Sequence, residues 1–196
     1  MEIAIILIAF GVLAMSLNNQ KLTDRHPHLA PRRQSTQLSH LSDFADRLYA
    51  ERKWLAAEKA YLNVLKVDHK NITAYTHLGV IYSTQKNMAD AIECFQMAAR
   101  IRPSGSTFQN LALVFHDNRN YMKAIAAFEK AISFEPTAAR YLGLAKAQRR
   151  FSDFSGAIAS LDKAIAIDKS PRLQELRAEI TVELTANKTN TNLKQS

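Results

Sequence analysis

Side chains of the same size and character recur along this chain at intervals of 33 residues, and that period narrows the possible folds more than any other feature. Tyr75, Leu78, Gly79, Tyr82, Ala91, Phe95, Ala98 and Pro103 are matched in order by Phe108, Leu111, Ala112, Phe115, Ala124, Phe128, Ala131 and Pro136. Weaker copies flank this pair. Upstream stand Leu41, Phe44, Ala45, Leu48, Ala57, Tyr61 and Val64, with His69 at the proline position. Downstream stand Tyr141, Leu144, Ala145, Gln148, Ala157, Leu161 and Ala164, with Lys169 there.

The spacings inside one unit describe two helices. Leu78, Gly79 and Tyr82 fall on one helical face, and Ala91, Phe95 and Ala98 fall on one face of a second helix. Small Gly79, Ala91 and Ala98 allow the two helices to approach closely, while Tyr82 and Phe95 fill the volume left. A hairpin of this kind leaves an apolar face that only the next hairpin covers, so the units must stack. Pro103 and Pro136 are expected to stop the second helix of each unit.

These eight positions resemble the tetratricopeptide repeat family over residues 38–171. The expected fold is all-α: a solenoid of about four hairpins, with repeats at about 38–71, 72–104, 105–137 and 138–171. The expected helix pairs are 39–51/55–67, 73–85/88–101, 106–118/121–134 and 139–150/154–167. Pro171 then opens a capping helix (172–185), whose Leu173, Leu176, Ile180 and Leu184 form one apolar stripe. Residues 186–196, polar from Asn187 onward except for Leu193, read as a disordered tail.

Before the repeats, Ile3–Leu17 is a continuous apolar run broken only by Gly11 and Ser16. Fifteen helical residues cover roughly 22 Å against a hydrocarbon core of about 30 Å, so residues 1–20 read as a short transmembrane signal-anchor segment. Lys21, Arg25, Arg32 and Arg33 all follow the run, which places a single-pass chain with its repeats in the cytoplasm. A cleaved export signal is the alternative, since Ala14, Met15 and Ser16 form a small-x-small site, and it leads to a secreted or periplasmic module. Residues 21–37, with Pro27 and Pro31, read as a flexible basic linker.

Sequence chemistry points away from catalysis. One cysteine, Cys94, excludes an internal disulfide and a cysteine-rich zinc site. No phosphate loop, metalloprotease or nucleophile-elbow motif occurs, so the reading is a non-enzyme with no cofactor, no metal and no small-molecule substrate. Cys94 reads as a packing residue beside Phe95, and Trp54 as a packing residue at the first hairpin turn. The net charge of +8 is spread along the chain.

In the family resembled, the first helices of successive hairpins line a concave groove for peptides or partner helices. Carried over repeat by repeat, this implies Ser42, Asp46 and Tyr49, then Thr76, Val80 and Ser83. The third and fourth units supply Gln109, Leu113 and His116, then Leu142, Lys146, Arg149 and Arg150. Ser42, Asp46 and His77 stand where chaperone-clamping members place Lys and Asn, which disfavours that partner. Lys146, Arg149 and Arg150 instead suit an acidic protein or peptide segment. The expected role is a membrane-anchored scaffold in the assembly of a membrane-linked complex. Single-stranded RNA is the rival ligand, weakened by the scarcity of aromatic stacking platforms in the groove.

Overall fold

A computed structural model describes residues 30–193. Among the described residues there are nine helices and no strand. The chain divides into two compact units at His69/Lys70. The described part of the first unit is a hairpin of α1 (Ala30–Ala50) and α2 (Trp54–Val67). The second unit holds three hairpins: α3 (Ile72–Thr84) with α4 (Met88–Ile101), α5 (Gly105–Asp117) with α6 (Tyr121–Phe134), and α7 (Ala138–Arg150) with α8 (Phe154–Ile167). The unpaired α9 (Pro171–Leu193) follows and packs on α8.

All four hairpins turn in the same way. Arg52, Lys86, Arg119 and Ser152 take left-handed backbone, with φ of 55°, 63°, 58° and 68°. The N–H groups of the next residues, Lys53, Asn87, Asn120 and Asp153, donate to the carbonyls of Leu48, Tyr82, Phe115 and Gln148 at 2.8–3.0 Å. This double-bonded end satisfies the last carbonyls of the first helix. The same residue then caps the second helix. Asn87, Asn120 and Asp153 accept from the N–H of Asp90, Lys123 and Gly156, whereas Lys53 makes no side-chain cap.

The prolines prove not to be what ends the second helices. α4 and α6 stop two residues before Pro103 and Pro136, but α2 and α8 stop at the same place before His69 and Lys169. In all four, an extended charged residue closes the last turn: Asp68, Arg102, Glu135 or Asp168. Its N–H still bonds four residues back at 2.8–3.3 Å, and proline only reinforces an extended conformation already reached. Asn71, Ser104 and Thr137 then cap the following helix.

Packing in the second unit follows the small residues. A Cβ on Gly79 meets the tip of the Phe95 ring at 2.8 Å, so α3 and α4 touch where only glycine fits. One apolar cluster joins Ala91 and Phe95 of α4, Leu111, Ala112 and Phe115 of α5, Ala124 and Phe128 of α6, and Leu144 of α7. A second joins Ala145, Ala157, Leu161 and Ala164 to Leu173 and Ile180 of α9. Gln148, which breaks the aromatic pattern of the fourth unit, accepts a 2.7 Å hydrogen bond from Ser160 and is satisfied there.

Two boundaries differ from expectation. Helix α1 begins at Ala30, inside the segment read as a linker, because Pro31 falls in the first turn where its missing N–H costs nothing. Helix α9 continues to Leu193, through most of the segment read as a disordered tail. No Gly or Pro follows Pro171, and the Thr181, Thr185 and Thr189 hydroxyls bond back onto the helix at the carbonyls of Arg177, Val182 and Thr185. Elongating an existing helix is cheap where nothing interrupts it. The apolar run at residues 3–17 lies outside the described residues, among which no helix is long and apolar enough to cross a membrane.

Candidate peptide-binding cleft

In the first unit, the Tyr61 hydroxyl donates to the Asp46 carboxylate at 2.7 Å. Tyr61 is buried, and burial followed by the Asp46 bond pushes its phenol well above the usual range. Asp46 is therefore a structural acceptor. Tyr49 packs edge-on against Trp54 at 5.5 Å and Tyr61 at 6.3 Å, which gives Trp54 its packing role as well. Ser42 lies on the same helix, half-buried.

In the second unit, several expected groove residues serve the fold. The Thr76 hydroxyl bonds the Ile72 carbonyl at 2.9 Å, Val80 packs on the main apolar cluster, and Ser83 is half-buried. Gln109 accepts from Arg140 Nε at 3.1 Å. Arg140 is itself only 6% exposed. Its guanidinium also pairs with Glu135 Oε2 at 2.9 Å, bonds the Glu135 carbonyl, and covers Gly105 so closely that a Cβ there lies 2.9 Å from it. This clamp ties α5 to the start of α7. Sequence reasoning passed over Arg140, whose signal was the arginine 35 residues after a glycine that opens a helix.

The fourth unit gathers the charge. His116, Lys146, Arg149, Arg150, Phe154 and Glu183 line one open cleft of about 550 Å³. Four of these six are residues picked from the repeat frame, so the frame brings His116 of α5 to the basic end of α7. Leu142 and Lys146 line a second cleft of about 230 Å³ with Leu173 and Glu179 of α9. Leu113 of α5 remains 45% exposed. His116 Nδ1 lies 3.5 Å from Asp117, and its ring meets Tyr121 edge-on at 5.6 Å.

The three cations are not equivalent. Arg149 Nη2 lies 2.6 Å from Glu179 Oε1, and its Nε lies 3.0 Å from Glu183 Oε2. These bonds, Glu183 first, raise its pKa further. Arg149 thus arrives at the cleft already neutralised, contrary to a uniformly basic groove end. Lys146 and Arg150 have no ion pair among the described residues and stand exposed, four residues apart on α7. The cleft can therefore hold anionic groups against two open cations, with Phe154 as an apolar floor. Cys94 is buried, and burial pushes its thiol up to about 12, which suits packing rather than nucleophilic chemistry. Among the described residues no three His, Cys, Asp or Glu side chains gather closely enough to hold a metal ion.

Comparison with known proteins agrees with this geometry. Residues 72–104 and 110–171 match the tetratricopeptide repeat family. Similar solved structures include MamA (residues 41 to the end) from Desulfovibrio magneticus RS-1, at 14% identity and TM-score 0.71, covering 79% of this chain and 89% of that one. YrrB, described as a tetratricopeptide repeat protein with an unusual peptide-binding site, is 18% identical with TM-score 0.66, covering 74% and 76%. PilW, described as a widely conserved type IV pilus biogenesis factor, is 23% identical with TM-score 0.58, covering 66% and 61%. At these identities the likeness is one of fold. No curated protein matches the sequence.

Proposed function

We propose that the protein, whose residues 72–104 and 110–171 match the tetratricopeptide repeat family, is a non-enzymatic scaffold whose α5–α7–α9 cleft binds an acidic segment of a protein partner. The observation that carries this reading is the exposed pair Lys146 and Arg150 beside Phe154 in a cleft of about 550 Å³. Two unpaired cations at one helical spacing attract paired carboxylates, and the half-buried Phe154 adds an apolar part to the cleft lining. That YrrB, of similar fold, is described as having a peptide-binding site favours the same use of this one.

The reading extends to the membrane. The apolar run Ile3–Leu17, with every nearby cation on its C-terminal side, anchors the chain and leaves the repeats in the cytoplasm, where they gather components of a membrane-linked complex. The full chain, purified in mild detergent, tests both parts. Lys146→Glu/Arg150→Glu, at unchanged helicity, is expected to lose an acidic partner that the unsubstituted protein captures from native membranes. Equal capture by both proteins overturns the cleft assignment. A mature N-terminus near Leu17 refutes the anchor.

A further inference from the structure

Arg149 already holds the kind of group that the proposed partner brings. Glu183 grips it through both carboxylate oxygens, and Glu179 adds a third contact from one helical turn earlier. These glutamates lie four residues apart, on one face of α9. The hold on that part of the helix is otherwise slight. Leu173 and Ile180 seat the first half of α9 in the apolar cluster, but from Thr181 to Asn187 no side chain is buried, and Val182 is 67% exposed. The two glutamates therefore clip the far half of α9 to α7.

We infer that α9 is a tethered occupant of the basic end of the groove, and that the partner segment is an acidic helix with carboxylates four residues apart which displaces Glu179 and Glu183 from Arg149. The inference rests on the acidic-partner reading above and adds the partner's shape and the contact it must break. Lys146 and Arg150 share the four-residue spacing, about 6 Å along a helix, so a helix laid along α7 with matching carboxylates satisfies both. The same helix replaces Glu179 and Glu183 at Arg149 like for like. Those ion pairs are partly exposed, at 27% for Arg149 against 57% and 37% for the glutamates, so exchanging them costs little. The competitor gains two cations that α9 leaves unused, while Leu173 and Ile180 keep the first half of α9 in place.

The test uses the full chain in detergent and a fluorescein-labelled, alanine-based helical peptide with glutamates every four residues, followed by anisotropy. Glu179→Gln/Glu183→Gln frees Arg149 and is expected to tighten binding about threefold to fivefold, the contribution of one partly exposed ion pair. Adding Arg149→Gln to that variant should abolish the gain. Equal affinity for the unsubstituted protein and the double variant overturns the tethered-occupant inference and leaves the acidic-cleft reading standing. Failure of both to bind, with helicity intact, sinks that reading and the inference with it. Should the double variant lose helicity, Glu183→Gln alone, which keeps the Glu179 pair, must show a smaller gain in the same direction, and no gain counts against the proposal.

Discussion

The hairpin turns offer a quantitative test of what holds the second unit together. Lys86, Arg119 and Ser152 are exposed and sit at φ of 63°, 58° and 68°, where a Cβ crowds the following carbonyl. That conformation costs an L-residue about 1–2 kcal/mol. Glycine removes the strain but brings about 0.5–1 kcal/mol of extra disorder to the unfolded chain. With no buried contact to lose, each replacement by glycine should gain about 0.5–1 kcal/mol. The sites belong to separate hairpins with their own hydrogen bonds, so the three gains should add, giving roughly 2 kcal/mol for Lys86→Gly/Arg119→Gly/Ser152→Gly. Urea unfolding followed by circular dichroism reads this as a higher midpoint at unchanged slope. The matching alanine variants, which keep the Cβ, should stay close to the parent. A triple glycine variant that unfolds at lower urea refutes the reasoning, because the turns must then be held by their side chains and not by their backbone geometry.

Three more perturbations probe the core and the clamp. Gly143→Ala places a Cβ 2.5 Å from Phe128 Cζ, so overpacking of about 1–3 kcal/mol should outweigh the helical gain of about 1 kcal/mol, and adding Phe128→Leu should restore part of the lost urea midpoint. Arg140→Lys cannot reach Gln109 and Glu135 together and should cost about 1–2 kcal/mol, whereas an unchanged midpoint denies the clamp any structural weight. Cys94 should resist alkylation at pH 8 until denaturant is added, as its thiol is pushed from 9.0 up to about 12. Since the folded value lies above the ordinary one, the protonated thiol contributes stability that is complete below about pH 9 and lost as pH rises towards 12.

The repeat itself was legible because the size of its markers recurs even where their identity changes, as with Gly79 and Ala112 or Tyr82 and Phe115. Gly79 must stay small where Phe95 is large, and helix ends followed to within a residue or two from Leu48 to Ile167. The left-handed turns were not legible, since Arg, Lys and Ser stand where glycine usually marks such a position. Arg140 was missed because arginine is read as a surface residue, and its burial depends on Gln109 and Glu135 converging from two other segments. In the cleft, the repeat frame placed His116, Lys146, Arg149 and Arg150 together, but nothing local to Arg149 announces its bonds to Glu179 and Glu183, some thirty residues on. The contacts of Asp46 and Tyr49 were hidden for a similar reason, since Tyr61 and Trp54 reach them from across the hairpin.

The four self-capped turns also bear on how the chain acquires its structure. Each turn closes the orphan carbonyls of one helix and three of the four cap the next within six residues, so a hairpin leaves few backbone groups waiting for a distant segment. Helices here pack mainly on their neighbours in sequence. Contact order is accordingly low, the entropy of closing long loops is scarcely incurred, and folding should be fast and able to start at any hairpin. Growth then proceeds outward from whichever pair forms first, and α9, whose far half depends on Arg149 being in position, joins last.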